Sequence, residues 1–191
     1  MSNTRNPIPS HAKLVFKGKI FEVWQWEQKM YDGSVAIFER LKRSNTAEVI
    51  ATLGDKILLQ TQEQPNRPCP FTSLPGGGCD EAEDPLSAAK RELLEETGYI
   101  SNDWMLWKEL NPVGKMEWTI YTYIARDCKK VQEPKLDAGE KITTRLIGFE
   151  EFLALFEDPA FRSTGLEGTL VRAWLDPKAK EELRALFFGK G

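Results

Sequence analysis

Between Gly77 and Tyr99 the chain spaces one guanidinium among carboxylates at short intervals: Glu83, then Arg91-Glu92, then Glu95-Glu96, with Leu74-Pro75-Gly76-Gly77-Gly78 leading in. On a 3.6-residue period Glu92, Glu95 and Glu96 share one helical face. Three carboxylates so placed repel one another unless something positive sits among them. A solvated acidic helix face is the plain explanation of such a cluster. It accounts for the glutamates but not for the glycine loop, whose backbone can approach a bound group closely and offer carbonyl oxygens beside the carboxylates. Oxygen ligands from a turn and a helix suit a hard divalent cation, Mg2+ or Mn2+, that shares phosphate oxygens with its substrate. The chemistry indicated is metal-assisted attack on a phosphate chain.

These groups need a helix and a loop held against a sheet. Asp84-Pro85 is a helix start, with a capping carboxylate before a residue whose missing N–H costs nothing in the first turn, and Gly98 is a stop. Within the helix Leu86, Ala89 and Leu93 form a second, apolar stripe that can face a core. Residues 47–52 and 56–60 read as two strands turning at Gly54-Asp55, and 71–74 lead into the glycine loop. Residues 104–110 and 118–125 are strand-like, with a loop at 111–114 between them. Residues 130–141 are polar, carry Pro134 and Gly139, and read as a flexible loop. The remainder is helical by pattern over 149–156, 166–175 and 177–188, with Asp176-Pro177 marking a restart. The apolar positions Phe152, Leu155, Phe156, Leu170, Val171 and Trp174 should pack on the sheet.

The spacing Gly-x5-Glu-x7-Arg-Glu-U-x-Glu-Glu-x-Gly-U, with U bulky and apolar, is matched at every defined position. On these residues the chain resembles the Nudix hydrolases. The resemblance implies an α/β fold, an α/β/α sandwich with a mixed β-sheet, and hydrolysis of a nucleoside diphosphate linked to a further group. It implies Glu92, Glu95 and Glu96 as metal ligands, with the Gly76 carbonyl as another. Arg91 and Glu83 would orient those carboxylates, and Arg91, Glu95 and Glu96 count among the catalytic set. Residues 136–140 resemble the loop in which relatives place a glutamate that assists the attacking water; Glu140 is the candidate and Asp137 the reserve. With no usable histidine, a carboxylate is the main choice for that task.

Ahead of the hydrolase-like region, residues 14–16, 20–26 and 34–38 are β-prone runs separated by turns at Lys17-Gly18 and Asp32-Gly33, as in an antiparallel meander. Residues 18–23 followed by Asp32-Gly33 resemble the small N-terminal β-region through which relatives that cleave ADP-ribose and nucleotide sugars form a homodimer and build substrate pockets. The organisation expected is therefore a disordered leader at 1–10, this β-region at 11–45, and a Nudix domain at 46–191. Trp24, Trp26, Phe38 and Arg40, together with Glu117 beyond the box, are the candidate substrate-binding residues. Pro112 also resembles a feature of that branch. Two positions depart from it: Glu63 stands where the branch carries arginine, and Ser73 where it carries glutamate. Both changes bear on substrate choice and neither touches the box.

Composition bounds the rest. With 191 residues and a net charge of −3, the chain can bury a core without disulfides, and its composition gives no case for nucleic acid as a partner. His11 is the only histidine, which argues against serine or cysteine triads and against histidine-ligated zinc, and no phosphate-binding GxxxxGK[ST] loop is present. Cys69, Cys79 and Cys128 have no paired spacing and are expected to be free thiols in a reducing cytoplasm. No signal peptide and no membrane-spanning run are read from the sequence. The expected activity is Mg2+-dependent cleavage of a nucleoside diphosphate sugar or ADP-ribose. The alternatives are cleavage of nucleoside triphosphates or dinucleoside polyphosphates, and a nucleotide-sensing module without turnover.

Overall fold

The computed structural model describes residues 7–189. Lys13–Lys17 (β1), Glu22–Lys29 (β2) and Val35–Lys42 (β3) form the antiparallel meander, with Trp24 opposite Arg40 and Trp26 opposite Phe38. Gly33, at φ +86°, makes the turn between β2 and β3, where a side chain would be strained. Thr46–Leu53 (β4), Lys56–Glu63 (β5), Phe71–Ser73 (β6) and Gly76–Gly78 (β7) lead to the helix Pro85–Thr97 (α1). Next come Tyr99–Ile100 (β8), Asp103–Leu110 (β9), Met116–Glu117 (β10), Ile120–Arg126 (β11), Lys129–Lys130 (β12) and Lys141–Gly148 (β13). The last elements are Phe149–Leu153 (α2), a 3-10 turn at Ala154–Glu157, Phe161–Arg162 (β14), Glu167–Leu175 (α3) and Pro177–Phe188 (α4).

An eight-stranded mixed sheet runs β14-β6-β5-β4-β11-β9, with β13 added on β5 and β7 on β4. Side chains alternate across it, so neighbouring residues serve opposite cores. Ala47, Val49 and Ala51 face Ala88, Ala89 and Leu93 of α1. Ile50, Ile57, Leu59 and Ile124 face Phe152, Leu170, Leu183 and Phe187 of the C-terminal helices. Helices thus cover both faces, which is the α/β/α sandwich expected. β10 joins the meander by pairing in parallel with β3, tying the N-terminal sheet to the rest.

Three features differ from the sequence reading. Lys141, read as the end of the loop, and residues 142–148, given no element there, form β13, which pairs with β5 from Lys141 opposite Glu63 to Gly148 opposite Lys56. The helix read over 149–156 stops at Leu153 and tightens into the 3-10 turn. Trp174, read as core, is 48% exposed and meets Phe156 edge-on, while Phe187 is fully buried. Of the leader, residues 1–6 lie outside the described residues; at its end the Ile8 N–H donates to Glu117 Oε2 at 2.8 Å. Among the described residues no helix is long and apolar enough to cross a membrane.

The sheet also encloses a carboxylate. Glu48 on β4 accepts from Ser163 Oγ at 2.9 Å, and burial, with Glu167 nearby, pushes its carboxyl from 4.5 up to about 7. A carboxyl raised in the fold holds its proton more tightly than in the unfolded chain, so its ionisation costs stability as pH rises through that window. Glu48→Gln keeps an acceptor for Ser163 and removes the charge. It is expected to leave stability unchanged near pH 4.5 and to raise it at pH 8 by up to about 3 kcal/mol, read by urea unfolding at both pH values.

Candidate active site

The helix bearing the glutamates starts and stops where its sequence dictates. Asp84 accepts from the Ser87 N–H at 3.0 Å, Pro85 occupies the first turn, and Gly98 closes the helix at φ +76°. The glycine loop reaches it because β7 is pinned edge-on to β4, with Gly76 opposite Glu48 and Gly77 opposite Ala47. A Cβ on Gly76 would sit 2.2 Å from the Ala47 carbonyl oxygen, so only glycine lets the two backbones come this close.

Arg91 lies among the carboxylates. Its Nε and Nη2 donate to the two oxygens of Glu83 at 3.0 and 2.9 Å, and Nη2 also reaches the Gly78 carbonyl at 3.0 Å. Its Nη1 donates to Glu92 Oε1 at 2.8 Å and to Glu95 Oε2 at 3.2 Å. Glu96, 5% exposed, accepts at Oε2 from Gln60 Nε2 and from the Gly76 N–H, both at 2.8 Å. The oxygens therefore sort themselves. Both oxygens of Glu83 are taken, one of them also by the Asp80 N–H at 2.9 Å, whereas Glu92, Glu95 and Glu96 each keep one oxygen without a donor among the described residues.

The electrostatics follow from burial. Burial pushes the Glu96 carboxyl up to about 8 and raises Glu92, with neighbouring carboxylates, Glu140 among them, adding to both. Glu83, paired with Arg91, is lowered. Glu140 thus lies within electrostatic reach of the helix face. Its segment is brought there by the end of α1, where the Lys135 N–H donates to the Glu95 carbonyl at 2.7 Å and the Val131 N–H to the Gly98 carbonyl at 2.9 Å. Asp137 meets Glu140 through its backbone only, accepting the Glu140 N–H at 2.9 Å and giving its own to Glu140 Oε2 at 3.3 Å.

A divalent cation fits this donor set. The unclaimed oxygens are hard, all from carboxylates, and a cation would offset the burial and the neighbouring carboxylates that raise Glu92 and Glu96. Among the described residues no group of three or more carboxylate, thiol or imidazole side chains is placed to hold a metal ion by itself, which leaves the set open. An open set of this kind suits Mg2+, which keeps waters and shares substrate oxygens. Gly77→Ala tests the geometry directly. Its Cβ would meet Glu92 Oε1 at 2.5 Å, the movable end of a side chain. The fold should tolerate the change with little shift in Tm, whereas displacement of Glu92 by about 1 Å is expected to lower kcat about 100-fold.

A cleft of about 990 Å3 opens beside the glycine loop, between it and the N-terminal sheet. Lys17, Lys19, Arg40 and Lys42 line one side, and Asp80, Glu81 and Glu83 the other. Arg40 and Glu117, named from sequence, are on its walls, with Glu117 paired to Lys42 at 3.1 Å. Trp24, Trp26 and Phe38 are not. Trp26, 8% exposed, lies against Phe38 at 6.0 Å between centroids and donates to Gln28, and Trp24 donates to Glu22. These rings share the strand face of Glu22, Arg40 and Lys42, which do line it, and Trp26 and Phe38 lie farther along the strands than the cleft reaches.

Sequence reasoning missed Arg43, which also lines the cleft. Its guanidinium lies 4.7 Å from the Trp118 ring centroid and 5.8 Å from that of Phe21, and its Nε is buried with no acceptor among the described residues. A buried donor left unpaired is costly, and a bound anion would complete it. Missed as well were Gln60 and Gln62, which hydrogen-bond with Ser73, a position already singled out from the sequence. Their signal was present: two glutamines spaced by two, following the apolar run Ile57-Leu58-Leu59 and pointing to one face.

Comparison with known proteins places these features in context. The family model described as NUDIX domain matches residues 42–165, well over half of the chain. The chain is 24% identical over 152 residues to the ADP-ribose pyrophosphatase of Bacillus subtilis, covering 75% of this chain and 79% of that protein. It is 26% identical over 151 residues to the methanol dehydrogenase activator of Bacillus methanolicus, covering 77% and 81%. A solved structure described as an ADP compounds hydrolase superposes with a TM-score of 0.71 at 21% identity, over 91% of this chain and 96% of that one.

Proposed function

The chain belongs to the NUDIX domain family, and from that premise we propose that it is a Mg2+-dependent pyrophosphohydrolase of a nucleoside diphosphate sugar or ADP-ribose, releasing a nucleoside monophosphate and a sugar phosphate. The observation that carries this reading is the sorting of oxygens around Arg91. Glu92, Glu95 and Glu96 each keep an oxygen for a cation, while Glu83 is spent entirely on Arg91 and the Asp80 N–H. A module that only sensed nucleotides would have no chemical need for the full set. The likeness to the B. subtilis ADP-ribose pyrophosphatase supports the substrate class.

In this reading Glu92, Glu95, Glu96 and the Gly76 carbonyl hold the divalent cation, Mg2+ or Mn2+, and Arg91 and Glu83 keep the carboxylates aimed. A bound cation would neutralise the pyrophosphate and lower the pKa of an attacking water. Glu140 accepts the proton of that water as its oxygen bonds to phosphorus and the bridging P–O bond breaks. Arg43 pairs with a substrate phosphate, and Arg40, Lys42 and Glu117 contact the remainder in the cleft. The N-terminal β-region, residues 11–45, serves as substrate surface and as the dimer interface. Support for the homodimer comes from apolar side chains left open on it, Phe16, Ile20, Val35 and Ile37 each more than half exposed. Light scattering on the eluted protein should return the mass of two chains. Three free cysteines fit a cytoplasmic setting.

The test is product analysis with Mg2+ on ADP-ribose, ADP-glucose, UDP-glucose, GDP-mannose and a nucleoside triphosphate. Monophosphate release from one or more of the sugar nucleotides is expected. Turnover of the triphosphate alone would replace the substrate class, and silence across the panel with metal bound would overturn the enzymatic reading.

A further inference from the structure

Behind Glu96 runs a chain of buried polar side chains. Strand β5 directs Leu58, Gln60 and Gln62 to the face toward α1, and Gln60 is fully buried there. Gln60 Nε2 donates to Glu96 Oε2 at 2.8 Å. On its other end Gln60 Oε1 accepts from Gln62 Nε2 at 2.8 Å, and the same Nε2 donates to Ser73 Oγ at 2.9 Å. An amide has one accepting end and one donating end. Gln62 presents an amino group to the Gln60 oxygen, so Gln60 is held with its own amino group toward Glu96. The reversed amide would set oxygen against carboxylate at one end and amino against amino at the other. Glu96 Oε2 receives the Gly76 N–H as well, so two donors hold that oxygen and none holds Oε1 among the described residues.

Building on the metal-dependent reading above, we propose that Gln60 is a positioning residue: oriented by Gln62 and Ser73, it commits Glu96 Oε2 to the protein and presents Oε1 to the divalent cation. The glutamines lie outside the box motif and act on the site only through Glu96. Ser73, where the sequence departs from the ADP-ribose branch, is the far anchor of this chain. Its hydroxyl receives Gln62 and lies 3.5 Å from Gln60 Oε1.

The experiment is a Mn2+ titration of the whole chain, with free ion read by electron paramagnetic resonance. Gln60→Met keeps length and volume and removes the donor to Glu96. It is expected to weaken Mn2+ binding about 10- to 100-fold, the usual cost of losing a group that orients a metal ligand, with substrate KM at saturating Mn2+ unchanged. Gln62→Met leaves the Gln60–Glu96 hydrogen bond in place and frees the Gln60 oxygen. A smaller loss is expected, and this variant provides the reading if Gln60→Met does not fold. Parent-like Mn2+ affinity in the folded variants would overturn the proposal, as would a change confined to KM. A parent chain that binds Mn2+ yet cleaves no pyrophosphate defeats the functional reading alone, since the metal-affinity shift is measured without turnover. A parent that cleaves substrate, with Gln60→Met binding Mn2+ normally, defeats the positioning role alone.

Discussion

Glu96→Gln is expected to lower Mg2+-dependent kcat by about 10^2- to 10^3-fold, on the scale of losing one charge-stabilising group from an active site. The substitution is chosen to spare the fold. The glutamine carbonyl can still accept from Gln60 Nε2 and the Gly76 N–H, which now meet at Oε2. What changes is the other end, where an amino group replaces the oxygen left open for a cation. Stability gives an independent check of sign. Burial pushes the Glu96 carboxyl up to about 8, so its ionisation in the metal-free chain costs stability as pH rises toward that value. Glutamine removes that cost, and metal-free Glu96→Gln should melt no lower than the parent at pH 8. Activity near that of the parent, with a folded variant and saturating Mg2+, would count heavily against Glu96 as a ligand.

Arg91→Lys keeps the charge and is expected to fail almost as badly, with kcat down about 100-fold and stability down by about 2 kcal/mol. A guanidinium offers five donors in a fixed plane, and this one makes five hydrogen bonds to Glu83, Glu92, Glu95 and the Gly78 carbonyl. An ammonium offers three donors from one point and cannot span these acceptors. The carboxylates that Arg91 holds apart would then move, Glu92 and Glu95 losing their common anchor and Glu83 its bidentate partner. Thermal unfolding measures the first effect, and the Mg2+ concentration needed for half-maximal rate measures the loss of orientation. A lysine variant with parent-like metal dependence would show that charge alone, rather than the planar fork, is what the site requires.

Local chemistry was readable along the chain. The Asp84 cap, Pro85, the apolar stripe and Gly98 dictate α1 through contacts within a few residues of one another, and the glutamates then share a face because the helix repeats every 3.6 residues. The meander, the β4–β5 turn and the Asp176-Pro177 restart are likewise short-range signals, and each appears where expected. β13 was not legible, because its strand state depends on β5, a partner about 80 residues earlier. Ile142 to Ile147 carry β-forming residues, but flanked by a polar loop and a helix they give no alternation strong enough to stand alone. The aromatics of β2 and β3 mislead for a related reason. Sequence says that Trp24, Trp26 and Phe38 sit on strands, on one face with Arg40, and only the completed fold decides which stretch of that face the cleft covers.

By itself the sequence determined the chemistry available to this protein: an oxygen-donor set on one helix face, a glycine loop able to approach it, and a single histidine, His11, far from both in the chain. Those depend on residue type and short spacing. Tertiary structure alone decided how the set is used. It turned Gln60 toward Glu96, brought Glu140 within reach of the helix, and left the Nε of Arg43, which lies between two rings in the cleft, without an acceptor among the described residues. Each of these is a contact between elements far apart in the chain, fixed by packing and strand register, and no local pattern encodes a partner that only the completed sheet brings near.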